Sequence, residues 1–183
     1  MLAYYFRTDD QSSAWALLGL LYRDVFGRLC PRVSRLTAGK PYFPDEPDVH
    51  FSISHTKGCV MVVLSEHPCG CDVERQRRIC DSALARVAGE DEMRAFSPIE
   101  LWTLKESLYK AVGNAPDGDA CAFVSKYCFS LTNGELTCAH ADVGAIAQCN
   151  LGDFQMAVVV LGAERSVVFR EVDPGGYSVM EGV

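Results

Sequence analysis

Val49-His50-Phe51-Ser52-Ile53-Ser54, Val60-Met61-Val62-Val63-Leu64-Ser65 and Cys71-Asp72-Val73-Glu74 follow one another between residues 49 and 74. In the first, Val49, Phe51 and Ile53 alternate with His50, Ser52 and Ser54, the period of two of a half-buried strand. The second is a β-branched run that predicts the next strand, and after Pro68 and Gly70 the third continues as another. Three short strands in sequence, joined by turn residues, are predicted.

Outward from this stretch the pattern changes. Upstream, Met1–Arg7 reads as a short strand, and Asp9-Asp10-Gln11-Ser12-Ser13 offers N-caps for a helix over about residues 14–26, ended by Gly27. A second strand is predicted at 32–38, before a turn-rich loop from Gly39 to Asp48. Downstream, helices are predicted at 81–88 and 98–112, with Pro98 in the first turn of the longer one and Gly113 at its end. The loop 114–119 then leads to strands at 127–131, 136–139, 144–150, 154–161 and 166–172, with Asn133-Gly134 marking a tight hairpin and a loose tail from Pro174. The order strand, helix, strands thus occurs before residue 75 and again after it. It predicts an α+β chain of two similar lobes, residues 1–73 and 74–183, packed as one unit.

Composition narrows the function. A length of 183 residues with 49% hydrophobic content gives an ample core, and the runs 14–22 and 156–163 fall short of the roughly 20 residues a spanning helix needs. The opening residues lack the basic-then-apolar order of a secretory signal, which predicts a cytoplasmic location without membrane attachment. Nine cysteines, an odd number with no C-x-x-C pair, suit small buried hydrophobes better than a disulfide or zinc framework. A net charge of −7 argues against nucleic-acid binding and requires that any anionic substrate be held by a few local cations or a metal ion.

Three local patterns carry chemistry. In Gly70-Cys71-Asp72-Val73-Glu74 a strand points Asp72 and Glu74 to one face, where two carboxylates can share a hard divalent cation such as Mg²⁺; a pair of solvated acids at a strand end is the bland alternative. In Leu101–Gly113, Leu101, Leu104, Leu108 and Val112 form a core stripe, and Glu106 and Lys110 lie one turn apart away from it. An ordinary surface ion pair, worth about 0.2–0.5 kcal/mol, accounts for them unless Trp102 and Tyr109, which flank the pair, wall a groove. In Phe51–Gly58, Ser54, His55, Thr56 and Lys57 offer donors to phosphate oxygens.

Taken together and in order, Gly39-Lys40-Pro41, Phe51-Ser52-Ile53-Ser54-His55, Gly70-Cys71-Asp72-Val73-Glu74 and Trp102-Thr103-Leu104-Lys105-Glu106-Ser107-Leu108-Tyr109-Lys110 resemble the 4′-phosphopantetheinyl transferase superfamily, of the surfactin-synthetase-activating type. That pattern reads G-K-P, F-N-x-S-H-S, G-x-D-x-E and W-T-x-K-E-x-x-x-K. The resemblance spans about residues 14–113, and Gly152–Val158 looks like a late family strand. It implies a pseudo-dimer of two lobes, each a helix on a small antiparallel sheet, with the active site in the cleft between them. It also implies an Mg²⁺ site at Asp72, Glu74 and Glu106, and catalytic roles for Glu106 and Lys110. Contacts to coenzyme A would come from Lys40, Pro41, Ser54, His55 and Lys105. The implied reaction moves the 4′-phosphopantetheine arm of coenzyme A to a serine of an apo acyl or peptidyl carrier protein and releases adenosine 3′,5′-bisphosphate.

The chain departs from the pattern in places. Ser52 stands for Asn, and Thr56 for Ser. The stretch Arg7–Trp15 holds a single cation where such proteins carry a basic run, which would leave the coenzyme A 3′-phosphate to Arg7, Arg23 or Lys40. The continuation Gly113-Asn114-Ala115-Pro116 is less glycine-rich than usual, and it bears on the carrier contact. A shortened coenzyme A-binding relative without transfer is the alternative, and a cysteine-based metal or redox protein a third. Two lobes complete their own cleft, so a monomer is expected.

Overall fold

All seven residues of Cys59–Ser65 are buried, although a strand at the surface of a sheet would expose every second one. The explanation is that both faces are covered. Val60, Val62 and Leu64 point into a core built with a long helix, whereas Cys59, Met61 and Val63 point into a second core shared with another sheet. The computed structural model describes residues 1–36, 39–113, 120–140, 142–162 and 166–175.

In chain order the strands are β1 (Leu2–Phe6), β2 (Ser34–Arg35), β3 (Pro41–Tyr42), β4 (His50–Thr56), β5 (Cys59–Ser65), β6 (Cys69–Arg75), β7 (Phe129–Thr132), β8 (Glu135–Cys138), β9 (Val143–Asn150), β10 (Phe154–Leu161) and β11 (Val168–Glu171). The helices are α1 (Ser13–Phe26), α2 (Asp81–Leu84), α3 (Glu90–Ala95), α4 (Pro98–Val112) and α5 (Ala120–Val124). One sheet runs β11-β1-β5-β4, a second β6-β10-β9, and two small ribbons pair β2 with β3 and β7 with β8. The class is α+β, as the sequence predicts.

Four layers stack on one another. Leu17, Leu18 and Leu21 of α1 pack on the outer face of the first sheet with Phe51, Val60 and Val62. The inner faces of the two sheets meet through Met61 and Val63 on one side and Cys71, Val73, Met156 and Val158 on the other. Leu101, Leu104 and Leu108 of α4 cover the far side of the second sheet with Ala157 and Val159. Alternation in β10 sorts its residues between the last two cores, which is what a period of two does in a strand covered on both faces.

The two sheets also join at an edge. Ser52 and Ser54 of β4 turn their hydroxyls to β6, where Oγ of Ser52 accepts the Cys71 amide (3.1 Å) and Oγ of Ser54 accepts the Val73 amide (3.2 Å). The small polar residues of the Phe51–His55 motif therefore satisfy the backbone of the acid-bearing strand.

Several predicted bounds move. Of the strand predicted at 32–38, residues 37 and 38 lie outside the described residues and only β2 forms among the rest, and the helix predicted at 81–88 shrinks to one turn of α2. Helix α3 is not predicted by periodicity, because Glu90, Asp91 and Glu92 interrupt any apolar stripe; buried Glu92 fixes it instead by accepting the Gly89 and Phe129 amides. The division between residues 73 and 74 falls inside β6, and β11 returns to pair with β1, so the two halves of the chain interleave. The hairpin is as read: Asn133 and Gly134 both have positive φ, 54° and 83°. The predicted loop 114–119 and the tail beyond 175 lie outside the described residues.

Candidate active site

Strand β6 turns Cys69, Cys71 and Val73 into the core between the sheets, so Gly70, Asp72 and Glu74 face α4. At Gly70 the helix comes so close that an added Cβ would stand 1.9 Å from the Ser107 carbonyl oxygen and 2.5 Å from the Ala111 amide nitrogen. No side chain fits there. This approach is what brings the next residue on that face, Asp72, to the last turn of α4.

Lys110 occupies that turn. Its ammonium lies 2.7 Å from Oδ1 of Asp72 and also donates to the Cys71 carbonyl (3.0 Å) and to Oγ of Ser54 (3.1 Å). Ser54 in turn donates to the same Asp72 oxygen at 2.8 Å. Burial acts to lower the Lys110 pKa, but Asp72 and Cys71, then Glu106, outweigh it, and the net direction is upward. The surface pair of Glu106 with Lys110 is thus replaced by a pair across elements. Oδ2 of Asp72 is buried and has no hydrogen-bond partner among the described residues.

Glu106, one turn earlier on α4, is half-buried. Burial raises its pKa first, the negative charges of Asp72 and Glu74 raise it further, and Lys110 opposes them. The helix acid therefore feels both strand acids. Glu74 itself is held by Arg77, which donates to it through Nε (3.2 Å) and Nη2 (3.0 Å).

Among the described residues no three His, Cys, Asp or Glu side chains stand close enough together to hold a metal ion. The predicted ligand set is adjacent in charge without being gathered around one point, because Lys110 takes one oxygen of Asp72 and Arg77 takes Glu74. The donor chemistry nonetheless fits a hard cation: the orphaned Oδ2 of Asp72 and the Glu106 carboxyl are oxygens that a divalent ion accepts.

The remaining predicted residues divide. Pro41, His55 and Lys40 line a cavity of about 550 Å³ that also includes Lys110, Tyr109, Trp15 and Arg35. Lys40 does not reach freely into it: its ammonium donates to the Lys110 carbonyl oxygen, and desolvation lowers its pKa. Ser54 belongs to the Asp72 network. Lys105 is turned elsewhere, buried with Glu92 at 2.7 Å, donating to the Tyr127 carbonyl and lying over the Phe129 ring. Its predicted place against coenzyme A gives way to an ion pair inside the α4 core. Trp102 and Tyr109, read as groove walls, line with Glu106 a second cavity of about 220 Å³. Tyr109 is common to both cavities.

Trp15 and Arg35 escaped the sequence reading. Neither belongs to a motif, and they are far apart in the chain; only the fold sets the Arg35 guanidinium over the Trp15 indole, 5.7 Å from its centroid. Of the nine cysteines, Cys59, Cys69 and Cys71 are fully buried, and burial pushes the Cys71 thiol up to about 12, which leaves it inert at neutral pH.

Comparison with known proteins bears on this geometry. No protein-family model matches the chain. The 4′-phosphopantetheinyl transferase gsp of Aneurinibacillus migulanus is 36% identical over 85 residues, which cover 41% of this chain and 35% of that protein. Sfp of Bacillus subtilis (strain 168), a 4′-phosphopantetheinyl transferase, is 32% identical over 92 residues, 45% of this chain and 41% of its own length. The 4′-phosphopantetheinyl transferase ffp of Bacillus subtilis is 30% identical over 92 residues with the same shares. These similarities support the 4′-phosphopantetheinyl transferase superfamily for this chain. The matches span about two fifths of the length of those relatives.

Proposed function

We propose that the chain transfers the 4′-phosphopantetheine arm of coenzyme A to a serine of an apo acyl or peptidyl carrier protein. The observation that carries this is Glu106: a half-buried carboxyl with no hydrogen-bond partner among the described residues, beside the Asp72–Lys110 pair, whose lysine lines a cavity of nucleotide size. On this reading the two helix-on-sheet units are the lobes of a pseudo-dimer, and the larger cavity is the nucleotide half of their cleft. The protein works as a cytoplasmic monomer. No helix among the described residues is long and apolar enough to cross a membrane.

Asp72, Glu106 and, once released from Arg77, Glu74 are the residues that would hold Mg²⁺, which when bound supplies charge neutralisation at the pyrophosphate. The chain's own groups do the rest. Glu106 takes the proton from the carrier serine hydroxyl. The serine oxygen forms a bond to the β-phosphorus of coenzyme A while the bond from that phosphorus to the bridging oxygen breaks. Adenosine 3′,5′-bisphosphate departs with the electron pair, and Lys110 stabilises the charge that develops. Tyr109 separates the nucleotide cavity from the smaller one and limits water at the reacting phosphorus.

The test is mass spectrometry of an apo carrier protein incubated with the protein, coenzyme A and Mg²⁺. The carrier gains one phosphopantetheine arm with the wild type, and Glu106→Ala loses about 10²–10⁴ in rate with its fold intact. Binding of coenzyme A without any mass gain would reverse the conclusion in favour of a binding protein.

A further inference from the structure

Strand β10 reads Phe154-Gln155-Met156-Ala157-Val158-Val159-Val160-Leu161, and Gln155 is its single polar residue. It is 1% exposed, on the face that Ala157 and Val159 turn to α4. Its carboxamide is almost idle there. Oε1 is buried with no hydrogen-bond partner among the described residues, and Nε2 reaches only the Met156 carbonyl at 3.5 Å, the outer limit of a hydrogen bond. The register sets Gln155 directly opposite Glu74, and Ala157 opposite Asp72. Opposed residues hold their Cβ atoms about 5 Å apart, so the carboxamide and the Glu74 carboxylate are neighbours on one face. An idle amide in the interior costs stability, and a strand of otherwise apolar residues could carry Met or Leu in its place.

We propose that Gln155 is a positioning residue for Glu74 in the divalent-cation site, its carboxamide donating to the Glu74 carboxylate once that carboxylate leaves Arg77. The inference rests on the functional reading above and deepens it. In the present arrangement Arg77 neutralises Glu74 through two hydrogen bonds, at 3.2 and 3.0 Å. Two positive charges on one carboxylate repel, so the guanidinium loosens when a divalent ion is held there. The carboxylate then needs a neutral donor to keep its direction, as ligating carboxylates are held by their neighbours. Gln155 is neutral, has two N–H bonds to give, and sits on the middle strand of β6-β10-β9, where pairing fixes the backbone from both sides. Lys110 cannot take this part, since Asp72, Ser54 and the Cys71 carbonyl already use its three donors.

Titration of the full chain with Mn²⁺, read by electron paramagnetic resonance, tests it, with thermal unfolding of the metal-free protein measured beside it. Gln155→Met binds Mn²⁺ about 10–100-fold more weakly than the wild type. The same variant melts about 2–4 °C higher without metal, because the idle amide is gone. Unchanged Mn²⁺ affinity overturns the inference at any melting temperature. If the variant melts lower or does not fold, the wild type decides: the side-chain N–H resonances of Gln155 shift as Mg²⁺ is added and saturate with it, and resonances that stay in place overturn the inference. If the wild type binds Mn²⁺, loses affinity with Gln155→Met and modifies no carrier, the transfer reading falls and this one stands. If the wild type binds no Mn²⁺, both fall.

Discussion

The Lys110 ammonium stands 2.7 Å from Oδ1 of Asp72, and Oδ2 of the same carboxylate is buried without a hydrogen-bond partner among the described residues. One oxygen anchors the helix to the strand; the other makes no hydrogen bond among the described residues. Replacing Asp72 by Ala removes both and leaves Lys110 facing Ser54 and a carbonyl alone. A stability loss of about 2–3 kcal/mol is expected, below the range for a fully buried pair because Lys110 is 29% exposed. A double-mutant cycle of Asp72→Ala with Lys110→Met in urea checks it, and additive losses would show that the pair is not coupled.

Gly70 admits no Cβ, since backbone atoms of Ser107 and Ala111 cannot move aside as a flexible side chain would. Gly70→Ala is expected to push α4 off β6 and to cost about 3 kcal/mol, the upper part of the overpacking range. Thermal unfolding reads the loss. A variant melting with the wild type would mean that the helix sits farther from the strand.

Lys105 and Glu92 are 2% and 3% exposed and meet at 2.7 Å. Lys105→Met leaves the Glu92 carboxyl in the α4 core with two backbone amides but no ion-pair partner, a change worth about 3–5 kcal/mol of stability. Coenzyme A affinity of the fraction that remains folded should be unchanged, measured by calorimetry below the melting range. A selective loss of affinity with normal stability would return Lys105 to the nucleotide.

Glu46 accepts hydrogen bonds from Arg28 (2.5 and 2.9 Å) and from the Tyr22 hydroxyl, and these partners, Arg28 first, hold its carboxyl below its ordinary value of 4.5. A carboxyl depressed in the folded state contributes stability above the unfolded value, and that contribution disappears as pH falls through the folded one. The melting temperature of the wild type should therefore exceed that of Glu46→Gln at about pH 6 and converge with it towards about pH 3. A constant difference across that window would rule the linkage out.

What could be read from the sequence follows from where each signal resides. Helix α4 and strand β6 announce themselves, because Pro98, the leucine stripe and the alternation of Cys71, Asp72, Val73 and Glu74 are local and periodic. The face shared by Asp72 and Glu74 follows from the same alternation. Hidden from a linear reading is everything set by tertiary approach: Lys110 choosing Asp72 over Glu106, Lys105 turning to Glu92, and Arg35 resting on Trp15. Glu92 is the clearest case, since an acid in a polar run carries no sign that it is destined for the interior. Its burial depends on a lysine and an amide that the sequence places 13 and 37 residues away.

Strand β1 lies between β5 and β11 and pairs with β11 in parallel, Leu2 opposite Val168. During translation β1 leaves the ribosome long before β11 exists. Throughout that interval one flank of β1 displays bare amides and carbonyls, a template onto which a neighbouring nascent chain can add. Slowing elongation over residues 75–165 would lengthen this window and lower the soluble yield without altering a single native contact.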